Sequence, residues 1–182
     1  MSAAAFFARW RVRLGYPLAI VVLLLARPTL QSILAGAVIG AAGLWVRATA
    51  AGHLHKQEIL TVTGPYAFTR NPLYLGSFIL MIGAAIAAHS RWSALILFAY
   101  FALFYSFVMR REERELYQHH GEAFKEYARS VPLFFPRLTT AKFASAAAFS
   151  FAQYKKNREY RAAIGFLLLL LVFVVRWRLR SL

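Results

Sequence analysis

Thr63-Gly64-Pro65-Tyr66-Ala67-Phe68-Thr69-Arg70-Asn71-Pro72-Leu73-Tyr74-Leu75-Gly76 is a turn that runs directly into an apolar segment of membrane length. Gly64-Pro65 signals the turn, Asn71 suits a helix N-cap, and Pro72 suits the first helical position, where its missing N–H costs nothing. Arg70 then stands one residue outside a helix N-terminus. The unpaired N–H groups of that terminus and the guanidinium favour the same partner, a carboxylate or phosphate at the lipid–water boundary. From this segment alone a second reading stays open, in which Arg70 is a membrane-flanking residue that snorkels to headgroups.

Composition sets the class around this stretch. With 60% hydrophobic residues and seven acids among 182 residues, the chain has too little polar surface to cover a soluble globule. An all-α, polytopic membrane protein is expected. The formal charge of +15 lies in basic residues that flank apolar runs and form no separate basic domain, so anionic lipid headgroups are the expected partner and nucleic acid is not. The absence of cysteine excludes disulfides, thiolate catalysis and cysteine-ligated metals.

Towards the N-terminus, Arg9, Arg11 and Arg13 precede the apolar run 14–26, Arg27-Pro28 breaks it, and a second run covers 29–46. The first run has the order of a signal peptide but no small-residue cleavage site, and a second apolar run follows closely, so the two read as a helical hairpin. At about 1.5 Å per residue the first run is short for a hydrocarbon core of about 30 Å, and it must stand nearly upright or draw length from its flanks. Gly36, Gly40 and Gly43 read as close helix packing.

Towards the C-terminus, a third helix is expected from Pro72 to about Ala88 and a fourth over 92–109, joined through His89-Ser90-Arg91. Segment 110–137 is charged and aromatic and reads as interfacial. A last apolar run, 162–175, is marginal in length, so it spans, re-enters or lies at the surface. The expected bundle therefore has four to five transmembrane helices. Its parts are an N-terminal hairpin over 1–49, a catalytic core over 50–138 and a C-terminal extension over 139–182 with a short apolar helix.

With the N-terminus inside, seventeen basic residues fall on inside segments against two outside, Arg27 and Arg91. That count puts the Arg70 turn and segment 110–137 together on the cytoplasmic side. The three arginines 176, 178 and 180 argue against a full fifth span.

Arg110-Arg111-Glu112-Glu113-Arg114-Glu115-Leu116 follows the fourth apolar run. Acids at a helix C-terminus oppose the macrodipole, so either the helix continues to about His120, with Gly121 as its stop, or the acids have cationic partners. Exposed pairing with neighbouring arginines is the plainer account, and such pairs are usually worth less than about 1 kcal/mol. His53-x-His55 and His119-His120 show no metal-site spacing, and no metal is expected. Residues 154–161 form a basic aromatic run that headgroup binding explains.

Gly64-Pro65-Tyr66, Arg70-Asn71-Pro72-Leu73-Tyr74-Leu75-Gly76, Glu112-Glu113-x-x-Leu116, Gly121-x-x-Phe124-x-x-Tyr127 and Val131-Pro132 together resemble the core motifs of the isoprenylcysteine carboxyl methyltransferase and phospholipid methyltransferase superfamily. The resemblance covers roughly 50–138. It implies a small transmembrane bundle that binds S-adenosylmethionine at its cytoplasmic end and takes a lipid or isoprenoid acceptor from the bilayer, in a bacterial inner membrane. It implies cofactor contacts from Tyr66, Arg70, Tyr74, Glu112 and Glu113, and from His53 if Gly52-His53 corresponds to the family's Gly-His pair. Arg70 is then the catalytic candidate, binding the donor's carboxylate or orienting an acidic acceptor. Asn71 stands where the isoprenylcysteine branch has histidine, Glu58 falls where that branch carries a histidine, and 139–182 has no counterpart in the motifs.

Methyl transfer from a sulfonium needs alignment and exclusion of water, with no metal and no covalent nucleophile. Aromatic rings and carboxylates can hold the cationic donor. Two other classes compete: a reductase resembling the NADPH-dependent sterol reductases, for which the chain is short, and a non-catalytic lipid-binding protein, which has no need of Arg70 and two glutamates on one membrane face.

Overall fold

The computed structural model describes residues 3–55, 59–139 and 148–181, so Lys56 and Glu58 lie outside the described residues. Among the described residues six α-helices follow one another: α1 (Ala3–Leu25), α2 (Leu30–His53), α3 (Pro72–Ala88), α4 (Arg91–Ser130), α5 (Phe151–Lys156) and α6 (Tyr160–Ser181), with a 3₁₀ turn at Gly64–Ala67 before α3. No strand occurs among the described residues. Helices over Leu30–His53, Arg91–Ser130 and Tyr160–Arg180 are long and apolar enough to cross a membrane, and Arg13–Leu25 and Pro72–Ala88 are shorter apolar helices. The protein is an integral membrane helical bundle.

Helices α2 and α3 form its spine. Thr29 caps α2 in a reciprocal box: its Oγ1 accepts from Ser32 N at 3.1 Å while Ser32 Oγ accepts from Thr29 N at 2.9 Å. The glycines then bring the two backbones into contact, because a Cβ on Gly36 would fall 2.4 Å from the Gly83 carbonyl oxygen and one on Gly43 would fall 2.8 Å from that of Gly76. Only a residue without a side chain fits such a seam. The packing expected of Gly36 and Gly43 is therefore met by glycines of α3, and Gly40 serves α6, whose Phe166 ring occupies the space of the missing Cβ.

Helix α1 draws length from its flank, beginning at Ala3, well before the apolar run. It packs against α4, where buried Ser93 donates to the Val22 carbonyl at 3.1 Å. Helix α2 runs past the expected end at 46 to His53, because Arg47 is held within the bundle instead of facing headgroups.

Helix α6 corrects the reading of the C-terminus. It spans the bundle antiparallel to α2, with Glu159, just before its first residue, paired to Arg47 at one end. At the other end Arg176 donates from Nε to the Ala26 carbonyl at 3.0 Å and from Nη2 to the Leu24 carbonyl at 2.7 Å. Between them Phe173 is fully buried among Ala26, Ile33, Ala87 and Ala88. Arg176 caps the open carbonyls at the C-terminus of α1, so its charge has a local use that a tally of basic residues misses.

Helix α4 is also longer than its apolar run. It continues through the acids to His120, breaks at Gly121 (φ 53°, ψ −124°) and resumes to Ser130. That backbone is open only to glycine at low strain, and the segment expected to be interfacial is thus two helical pieces joined at Gly121.

Candidate active site

Three segments converge at the bundle end where α2 and α4 finish and α3 starts. The 3₁₀ turn begins on Gly64 (φ 56°), and the His53 ring stands where a Cβ would project, 2.6 Å away. The turn is then stitched to segment 131–137. Arg70 N donates to the Pro132 carbonyl at 3.0 Å, Thr69 Oγ1 to that of Phe134 at 2.9 Å, and Arg137 N to that of Phe68 at 3.0 Å. Tyr127 OH donates to the Tyr66 carbonyl at 2.7 Å, and Phe124, Tyr127 and Val131 form a buried cluster with Leu60 and Val62 against it. These bonds explain why the Val131-Pro132 and Phe124-x-x-Tyr127 motifs accompany a turn some sixty residues earlier.

Asn71 takes the N-cap position but not the expected side-chain role. Its backbone carbonyl accepts from Tyr74 N and Leu75 N, while its Nδ2 donates to the Leu133 carbonyl at 3.0 Å. The side chain is drawn away from its own helix by a carbonyl on the neighbouring segment that Thr69 Oγ1 also approaches, at 3.4 Å.

Within this frame Arg70, just before α3, and Tyr74, in its first turn, meet Glu113 and Glu112 on α4. Arg70 Nη1 forms an ion pair with Glu113 Oε1, and Tyr74 OH donates to Glu112 Oε1 at 2.5 Å. The guanidinium also lies 6.0 Å from the centre of the Phe124 ring. Tyr74 packs edge-on to Tyr105. Helix continuation past 109 and cationic partners for the acids therefore hold together, since the first carries the acids to the second. Arg70 Nε and Glu113 Oε1 are buried without a hydrogen-bond partner among the described residues.

Tyr66 is buried beside this group. Burial first, then the negative fields of Tyr127, Glu112, Glu159 and Tyr74, hold its phenol above the ordinary range. Burial raises Tyr127 too, with the Arg70 charge opposing. Tyr66, Arg70, Tyr74, Glu112 and Glu113 are thus assembled at one site. His53 stands behind the turn, where its Nδ1 lies 2.8 Å from the Thr49 carbonyl and its ring meets Phe149 edge-on. Tyr117 is exposed and covered by Lys125, 5.2 Å from its ring centre. Among the described residues no group of three or more His, Cys, Asp or Glu is placed to hold a metal.

A second polar group lies beside the first, and the sequence reading missed it. Arg47 bonds through Nε to Glu159 and through Nη1 to Ser77 Oγ and the Leu73 carbonyl. It closes the polar end of a cleft of about 410 Å³ that lies over α3 between α4 and α6, lined otherwise by apolar and aromatic side chains such as Leu80, Met81, Phe101, Phe166 and Leu169. The available signal was Glu159 itself, the lone acid in the basic run 154–161.

The pattern of the phospholipid methyltransferases matches residues 18–123, more than half of the chain. The protein belongs to that family. The match covers α1 from its middle, both helices of the spine, and α4 through the two glutamates, and it ends before Phe124, Tyr127 and Glu159. Two relatives carry names from metal resistance. The nickel-cobalt-cadmium resistance protein NccN of Alcaligenes xylosoxydans xylosoxydans is 36% identical over 102 residues, 56% of this chain and 47% of that protein. The cobalt-zinc-cadmium resistance protein CzcN of Cupriavidus metallidurans is 34% identical over 102 residues, with the same coverage. The chain spans about half the length of these curated relatives. No solved structure matches it.

Proposed function

We propose that this family member is an S-adenosylmethionine-dependent methyltransferase that modifies a lipid or isoprenoid resident in a bacterial inner membrane, with its N-terminus and active site cytoplasmic. One observation carries the reading: Arg70 from the turn, Tyr74 from α3, and Glu112 and Glu113 from α4 meet in a single aromatic-lined group at one end of the bundle. The fit to the cofactor is chemical. Arg70 Nε is a buried donor with no partner, suited to the carboxylate of an amino acid, and Glu112 and Glu113 offer carboxylates to an ammonium or sulfonium. S-adenosylmethionine, when bound, supplies a methyl group on cationic sulfur. The chain's own part is to bind and orient: Arg70 and Glu113 hold each other in register, Tyr74 fixes Glu112, and the neutral phenol of Tyr66 packs the floor without adding charge.

The acceptor enters sideways on this reading. The cleft over α3 begins beside Tyr105, against which Tyr74 packs, and it is walled by apolar side chains that suit a lipid chain. For the metal resistance after which the two relatives are named, the corresponding proposal here is an effect through a modified membrane lipid.

The deciding experiment is calorimetric titration of S-adenosylmethionine into the purified protein, in detergent and in lipid. Heat of specific binding is expected in both, and a labelled methyl group should pass into the organic-extractable fraction when native membranes are supplied. No heat in either medium overturns the reading in favour of a reductase or a lipid-binding protein. Label found only in water-soluble products overturns the lipid acceptor. For orientation, Arg91→Cys in this cysteine-free chain should react with impermeant maleimide on intact cells and Ala123→Cys should not, since the two positions stand at opposite ends of α4. The opposite pattern would put the site on the wrong face for the cofactor.

A further inference from the structure

We propose that the polar end of the α3 cleft is a headgroup site for a neutral long-chain alcohol, selected by the Arg47–Glu159 pair. The inference rests on the methyltransferase reading only for its consequence, which would be transfer to oxygen. The site itself stands on geometry.

An arginine alone at the end of an apolar cleft would select an anion. Arg47 is not alone. Its Nε bonds to Glu159 Oε1, while Nη1 is taken by Ser77 and the Leu73 carbonyl. The side chains are 20% and 10% exposed, so the pair is largely withdrawn from water. A guanidinium and a carboxylate can join through two parallel bonds, and here they join through one. Nη2 of Arg47 is left as a donor, and Oε2 of Glu159 is left as an acceptor, with no partner for either among the described residues.

A ligand that completes this fork must both accept and donate. A hydroxyl does so, with one O–H and two lone pairs. A phosphate, sulfate or carboxylate only accepts and meets the Glu159 charge, while an ammonium only donates and meets the Arg47 charge. Opposed charges in a site of low water content are costly to approach. The remaining walls are apolar or aromatic and lie between α4 and α6, so the rest of the ligand is a hydrocarbon chain. The volume of about 410 Å³ falls within the ordinary range for small-ligand sites. The floor is α3, through Leu80, Met81 and Ala84, and the α6 wall includes Gly165, where an added Cβ would touch nothing within 4 Å.

The test uses the full-length protein in nanodiscs of zwitterionic lipid containing one of two photoreactive probes of equal chain length, a long-chain alcohol or a long-chain alkyl sulfate. The alcohol should label peptides of α3 and α6, be displaced by unlabelled alcohol, and exceed the sulfate at least tenfold. Glu159→Gln frees the Arg47 charge and should reverse that preference. Gly165→Leu fills the cleft while leaving the pair intact, and should lower displaceable labelling by the alcohol at least tenfold; it keeps the test decisive should Glu159→Gln fold poorly. Equal labelling by both probes in the wild type, labelling outside the cleft, or full labelling of folded Gly165→Leu overturns the proposal. Heat of cofactor binding is read separately on the wild type, so its loss counts against the methyltransferase reading and leaves the labelling to decide the cleft.

Discussion

Among the described residues, two arginine–glutamate pairs join separate segments near one end of this bundle, and they differ in what surrounds them. Arg70 and Glu113 lie in an aromatic cup where the chain leaves the membrane, 15% and 23% exposed, with a donor still unpartnered. Arg47 lines the end of a largely apolar cleft, where Glu159 pairs with it, and it has further bonds to Ser77 and Leu73. Identical chemistry therefore serves two purposes. The first pair joins the turn before α3 to α4, and the second joins the C-terminal segment to the spine at the polar end of the cleft proposed to hold the alcohol.

Single substitutions at the second pair should have the largest effect. Arg47→Ala leaves Glu159 buried and unpaired, which should cost about 3–5 kcal/mol of stability, read as the unfolding midpoint in detergent. The double variant Arg47→Met, Glu159→Leu should recover most of that loss, because the charges leave together. A double variant as unstable as the single one would show that the pair has no separable structural role.

At the first pair the larger effect should fall on binding. Arg70→Ala and Glu113→Gln should each weaken S-adenosylmethionine binding more than tenfold, that is by more than about 1.4 kcal/mol, with both variants remaining folded. Wild-type binding in both would erase the contrast between the pairs. The smallest effect expected is at Tyr74→Phe, which removes the hydrogen bond to Glu112 but keeps the ring against Tyr105. Loss of one such bond, about 1 kcal/mol, should weaken cofactor binding roughly fivefold; an effect as large as that of Arg70→Ala would make Tyr74 an equal partner in the site.

The same contrast explains what could be read from residues alone. Around Arg70 the signals are local: Gly64-Pro65 makes the turn, Pro72 starts the helix, and two adjacent acids stand out at the end of an apolar run. Their meeting was legible because both segments follow from helix ends on one membrane face. Around Arg47 the signals mislead, since a basic residue after an apolar run normally marks a helix end at the headgroups. Here α2 continues for another six residues, to His53, because Arg47 finds Glu159 more than a hundred residues later. The same cause hid the full span of α6, whose Arg176 answers carbonyls of α1. Asn71 shows the limit at a finer scale: its position was legible and its hydrogen bond was not, because Leu133 O is brought to it only by the folded turn.

The family match stops at residue 123, yet Glu159 and the α6 wall of the cleft lie beyond it. The recognised pattern therefore contains Arg47, Arg70, Glu112 and Glu113 but not the glutamate that pairs with Arg47. On the two proposals made above, the groups for donor and acceptor stand in different lengths of chain. A chimera that exchanges only the segment after residue 139 should then change what receives the methyl group while leaving cofactor binding as it was.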